Sequence, residues 1–379
     1  MNRDIRQWLL NVARLSFKEL RSLLGDAPLV ALILFAFTIS VYTTAKGVKA
    51  EVSHASVGWI DADQSALSMR LRDAIRPPYF QPPRDISAQQ AGPALDRGDV
   101  IFVIDVPPHF EADVLAGRAP AIQVTVDATA MTQAGLGVAY LNEIFLQEVL
   151  GFFHQQGIDS LLPARPVIHL EFNPNNQSHW FTSVMLIITN ITVLAIILVG
   201  AAVIREREHG TIEHLLVMPV RPSEIALAKI LANGGVILLA VWLSLVFVVQ
   251  AWLGVPLLGS ITLFLLGTSA YLFAVTSLGI LLATVTSSMP QFGLLAAPVY
   301  VVLYLLSGAA TPVESMPELM QGVVQVSPTT QFVKLTHAVL YCGAGLDIVW
   351  PQLLAVSVAG AVFLFIALSR FRSMLARQG

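Results

Sequence analysis

Residues 181–204 read FTSVMLIITNITVLAIILVGAAVI, an apolar run without one charged side chain. A helix of that length rises about 36 Å, enough to cross a hydrocarbon core about 30 Å thick. Arg205, Glu206, Arg207 and Glu208 follow at once, so the chain leaves an apolar medium for water at Ile204. The same pattern recurs at about 27–45, 225–253, 261–286, 291–307 and 348–369. Lys229 is the single charge in all six segments. Six transmembrane helices are therefore expected, the fifth being the shortest, bounded by Pro290 and Gly308.

Composition agrees. Of 379 residues, 12% are charged, against roughly 25% in soluble proteins. Apolar residues make up 55% and the mean hydropathy is +0.70. Gly and Pro, 25 and 21, lie near their ordinary share, which excludes collagen and low-complexity disorder. The charges cluster: residues 46–178 hold 9 basic and 15 acidic side chains, an ordinary polar domain inserted between spans one and two. The single cysteine, Cys342, forms no intrachain disulfide. With a net charge of −3 and basic residues gathered only at the ends, no nucleic-acid partner is expected. Residues 1–26, with Asp4 and Glu19, make a poor cleavable signal, and the apolar run behind them is long enough to stay in the membrane.

Lys and Arg near the span ends set orientation. Arg3, Arg6, Arg14, Lys18 and Arg21 precede span one; Arg205, Arg207 and Arg221 follow span two; Arg370, Arg372 and Arg377 end the chain. On the other side, residues 254–260 have none and 308–347 only Lys334. Both termini are thus expected in the cytoplasm, with 46–178 on the opposite side of the membrane.

Residues 3–24 (within an N-terminal segment 1–26) read as an amphipathic helix. Ile5, Trp8, Leu9, Val12, Leu15 and Leu23 share one face, and Arg3, Arg14, Lys18 and Arg21 the other. Such a helix lies in the membrane interface against anionic lipid, or else forms a solvated leader. Glu19, on the apolar face, does not fit the stripe. The inserted domain alternates strands near 56–60, 100–104, 122–126 and 167–170 with helices near 64–76, 86–97, 109–116 and 129–156, an α/β pattern.

Enzymatic motifs are missing. Without a Gly-Lys dipeptide there is no P-loop, and Gly-x-Ser-x-Gly and His-Glu-x-x-His are absent. His209 and Glu213, four apart, are too few for a metal site, and none is expected. Gly135-Leu136-Gly137 lacks the third glycine of a dinucleotide loop. The spans also lack the buried acids that ion-coupled carriers use, and Lys229 is placed to snorkel to the cytoplasmic surface. Uncharged polar groups remain: Asn190 and Thr192 in span two are candidates for interhelical hydrogen bonds or for a substrate pathway. In the loop 205–222, Gly210 breaks the helix of span two and a short amphipathic helix can run from Thr211 to Met218, ended by Pro219 and Pro222. It suits either a groove in a partner protein or a hairpin on the membrane surface. Ser223 and Glu224 suit the start of span three as cap and first-turn anion.

This loop resembles that of the ABC-2-type (type V) exporter permeases. Their Glu-x-Gly-Thr-x-Glu-x-Leu-Leu, then Pro, then Lys in the next span stands here as Glu208 to Leu216, Pro219 and Lys229. Lys18 to Asp26 and Ser315-Met316-Pro317 match as well, and the likeness covers the whole chain, most nearly that of the YhhJ-type inner-membrane permeases with a large periplasmic insert. The resemblance implies a transport subunit without its own nucleotide site, ATP and Mg being held by a separate ABC ATPase. That ATPase would grip Glu206, Arg207, Glu208, Gly210, Thr211, Glu213, Leu215 and Leu216. It also implies a second permease subunit, identical or homologous, paired through spans two and five. Re-entrant helices at 308–347, broken by Pro312, Pro317 and Pro328, would join spans five and six. A periplasmic HlyD-type adaptor and outer-membrane channel would complete efflux of a hydrophobic or amphipathic, drug-like or lipid-like substrate. A membrane-anchored periplasmic ligand sensor or assembly protein is the alternative, though six spans exceed what anchoring needs.

Overall fold

The computed structural model describes residues 2–47, 54–127, 131–155, 178–208, 220–309, 313 and 316–375. The chain divides into two units, Met1–Gly47 with His179–Gly379, and Val48–Ser178.

The first unit is helical. Helix α1 (Asn2–Leu24) ends at Gly25, and Asp26 caps α2 (Ala27–Gly47) by accepting from the Leu29 N–H at 3.3 Å. Within α2, Ala36–Ser40 widens to a π-helix. Then come α7 (Ser178–Glu208), α8 (Pro222–Trp252), α9 (Ile261–Val285), α10 (Met289–Leu305) and α13 (Leu346–Leu375). Two short helices, α11 (Glu318–Val324) and α12 (Pro328–Leu340), fall inside the 308–347 segment, preceded or opened by Pro317 and Pro328 as expected. The last turns of α8, Ser244–Trp252, are also π-helical and pack against the π segment of α2. Helix α9 packs against α8, α12 and α13, and α1 lies along α8. One apolar core, with Val199, Ile237, Val275, Phe332 and Val356, runs through the unit.

The described residues of the second unit form a four-stranded sheet with helices on both faces. Its strands are β1 (Val57–Asp61), β2 (Arg84–Asp85), β3 (Phe102–Val106) and β4 (Gln123–Val126). They are ordered β2-β1-β3-β4, parallel except for β4. Helices α3 (Ala66–Ala74), α4 (Ala88–Asp96), α5 (Phe110–Leu115) and α6 (Met131–Gln155) match the expected segments closely. Trp59, Phe102 and Ile104 face Leu67, Leu71, Leu141 and Phe145 in the main core. On the opposite face Val103 and Val100 meet Ala94 of α4. Strand β2 is too short to leave a pattern in sequence, and the strand expected at 167–170 lies outside the described residues.

Six described helices are long and apolar enough to cross a membrane, but they are not quite the six expected. Five coincide. Met289–Leu305, at 17 residues, rises about 26 Å and falls short of a hydrocarbon core. Leu136–Phe153 of α6 reaches the necessary length and hydropathy instead. Its apolar side, with Leu141, Phe145 and Phe152, is turned onto the sheet of its own unit, and Glu143, Gln147 and Glu148 lie between those positions. A helix with that division of faces belongs in a domain core.

Candidate functional site

Helix α7 ends in four charges of alternating sign, and each reaches a different part of the helical unit. Arg205 Nη1 lies 3.3 Å from Asp26 Oδ2 at the α1–α2 junction. Glu206 Oε2 lies 3.0 Å from Lys229 Nζ of α8. Arg207 Nη1 donates to the Thr286 carbonyl at 2.7 Å, just past the end of α9. Glu208 Oε1 accepts from the Met289 N–H at 2.9 Å, on the first turn of α10. Successive helical side chains point about 100° apart, so four in a row sweep the whole circumference. Such a residue set is engaged throughout only where the helix end is ringed by neighbours.

Lys229 is the centre of this ring. It does not snorkel: it is 1% exposed, with Glu206 on one side and Glu19 Oε1 of α1 at 3.1 Å on the other. Lys18, largely exposed, lies 3.5 Å from Glu206 Oε1 and closes the cluster. A buried ammonium persists because two carboxylates replace its water. Glu19, the misfit on the apolar stripe of α1, is thereby explained. On that stripe Val12 and Leu23 are buried where α1 lies along α8, while Ile5 and Leu9 stay exposed. Arg14, Lys18 and Arg21 stay exposed, and the side chain of Arg3 lies outside the described residues. Between α1 and α8 a groove of about 600 Å³ opens, lined by Phe17, Leu20, Leu24, Leu231, Gly235 and Leu239.

At the start of α8 the cap differs from expectation. The helix begins at Pro222, so Ser223 is already inside it. Glu224, buried, reaches back to accept from the Arg221 N–H at 2.8 Å, supplying both cap and first-turn charge. Asn11 of α1 donates to the same carboxylate at 3.5 Å, a second tie between α1 and α8.

The polar residues expected inside span two are both bonded. Asn190 Nδ2 donates to the Ala36 carbonyl at 2.6 Å, at the first residue of the π segment of α2. Thr192, 2% exposed, lies 2.7 Å from the hydroxyl of Tyr271 on α9. That tyrosine donates to Thr329 Oγ1 at 3.1 Å and stacks on Phe332 at 4.3 Å, fixing α12 to the long helices. Sequence reasoning found Asn190 and Thr192 but missed Asp26, Thr286, Met289 and Tyr271, whose roles follow from spatial neighbours. Gly210, Thr211, Glu213, Leu215 and Leu216 lie outside the described residues, as do His209 and the expected 211–218 helix. Among the described residues no group of His, Cys, Asp or Glu could hold a metal ion.

Long apolar helices, with a charged collar at the end of one of them, mark a polytopic membrane protein. The chain belongs to the family described as ABC-2 family transporter protein, whose profile matches residues 24–369. It is 49% identical to the inner membrane transport permease YhhJ of Escherichia coli K12 over 97% of this chain and 98% of that protein. It is 27% identical to the probable multidrug ABC transporter permease YbhR of the same organism, over 94% and 96%. A more distant relative, ABC transporter G family member 20 of Dictyostelium discoideum, is 24% identical over 56% of this chain and 30% of its own length. Members of the family are membrane subunits and not ATPases, so this chain is an ABC transporter permease, and its family implies an ATPase partner.

Proposed function

We propose that the chain is the permease of an exporter that moves a hydrophobic or amphipathic substrate outward across the bacterial inner membrane. The ATPase engages the segment 209–219, and both termini and that segment are cytoplasmic. Two permease copies, identical or homologous, form the pathway through α7 and α10, and the unit at 48–178 stands in the periplasm as the docking surface for an adaptor. The observation that carries the reading is the collar at Arg205–Glu208, where the end of α7 is tied to the α1–α2 junction, to α8, to the end of α9 and to the start of α10. The groove between α1 and α8, apolar apart from Ser16, supports the substrate class, and a relative named as a probable multidrug permease points the same way.

The test is to purify the tagged chain in mild detergent at low salt and quantify accompanying proteins by mass spectrometry. Wild type should bring an ABC ATPase, and Gly210→Pro or Glu213→Lys should lose it while inserting normally into the membrane. Cells carrying wild type should survive a panel of lipophilic toxicants that kills cells carrying either variant. Wild type without any ATPase, or loop variants that retain it and protect cells, would overturn the reading.

A further inference from the structure

Glu206, Arg207 and Glu208 were expected to face the ATPase, yet their charged groups are engaged inside the chain. The sign of each matches its partner. Arg205 meets the Asp26 carboxylate and Glu206 the Lys229 ammonium. Arg207 meets a carbonyl at the end of α9, the negative pole of that helix, and Glu208 a free N–H at the start of α10, the positive pole. The last two grip opposite ends of one short turn, residues 286–289, which α9 and α10 share. Helix α10 has few other anchors. Leu294, Val302 and Leu305 are exposed, and Phe292, seated against Gly200 of α7, is one of its two fully buried apolar residues.

We propose that Arg205–Glu208 is a transmission collar and not an ATPase contact. It converts displacement of the 209–219 segment into a joint movement of α1, α8 and the α9–α10 turn, with Glu208 as the positioning residue for α10. The inference rests on the ABC permease reading and deepens it by assigning the step between ATPase movement and the pathway helix. Because the four side chains share the last turn of α7, rotating that turn moves four partners at once. Cutting one tie leaves the others, so each tie can be tested alone.

The experiment uses the full chain with its co-purified ATPase, in a Cys342→Ser background carrying Leu294→Cys labelled with an environment-sensitive fluorophore. Leu294 is 77% exposed and one turn into α10, so the label reports that helix without disturbing the core. In the parent, trapping the ATPase with vanadate should shift the emission. Glu208→Ala and Arg207→Met should retain ATPase within about twofold of the parent, remain monodisperse, and lose the shift, with toxicant protection reduced about tenfold or more. Glu208→Asp, which keeps the acceptor, should restore part of both; a bystander role would leave the shift intact in all three. Loss of ATPase from Glu208→Ala and Arg207→Met alone would make these residues contacts and overturn the inference while leaving the permease reading standing. A parent without a shift, or variants that keep it, would overturn it equally. Absence of ATPase from the parent would instead remove the reading beneath.

Discussion

Lys229 is a buried ammonium held between two carboxylates, and its energetics are asymmetric. Removing it alone leaves Glu19 and Glu206 facing each other at low solvent exposure, and breaking such a cluster costs about 3 kcal/mol or more. Lys229→Met should therefore lower the thermal midpoint of the detergent-purified chain markedly, while Lys229→Met with Glu19→Gln and Glu206→Gln should recover most of the loss. A triple variant as unstable as the single would show that methylene packing, and not charge balance, holds α1 to α8. Both halves of the cluster were visible in sequence: one charge in an apolar span and one acid on an apolar stripe. Their union was not, because no local pattern sets which helix lies beside which across 210 residues, and snorkelling was the cheaper reading of a lone lysine. Asn190 offers the converse case. If its bond to the Ala36 carbonyl is its whole role, Asn190→Ala should cost about 1 kcal/mol of stability and spare protection against toxicants. Unchanged stability with altered toxicant range would move it into the substrate pathway.

At the scale of elements, close approach decides which helices touch. A methyl added at Gly279 of α9 would stand 2.8 Å from the Ile196 carbonyl of α7, against backbone that cannot turn aside. Gly279→Ala should destabilise the unit by about 1–3 kcal/mol, and Gly279→Val by more, read as thermal midpoint and as yield of monodisperse protein. Gly293 of α10 meets nothing within 4 Å, so Gly293→Ala is the matched control and should be neutral or slightly stabilising as a better helix former. Equal behaviour of the two would mean that α7 and α9 do not pack as described. Helix spans were legible here from apolar run length, but caps were not: Asp26 was missed as the cap of α2, and Glu224 took the role expected of Ser223. The facing π segments of α2 and α8 left no trace, since neither Ala36–Ser40 nor Ser244–Trp252 contains a proline or glycine to announce it. Widening there frees a carbonyl, and Asn190 collects it.

For the whole molecule, the division into two units makes a prediction that needs no membrane. Residues 48–178 hold their own sheet and their own core, and no cysteine whose oxidation state would restrict where they fold. The boundary at 46–178 was legible because charge density rises abruptly there. The α/β character was legible because strand and helix periods alternate. Composition alone, however, does not separate α6 from a membrane span, and only the sheet beneath its apolar side decides. Trp59 is the sole tryptophan of the segment and is 1% exposed at the centre of that core. Expressed alone as a soluble fragment, the segment should therefore emit at short wavelength, and urea should shift the emission to the red in one cooperative step, with a slope of about 1–3 kcal/mol/M. Leu141→Ala, cutting the contact between α6 and the sheet, should lower the midpoint by an amount equivalent to about 2–5 kcal/mol. If α6 were instead a lipid-bound span, the fragment would aggregate without detergent, and Leu141→Ala would leave the Trp59 transition where it was.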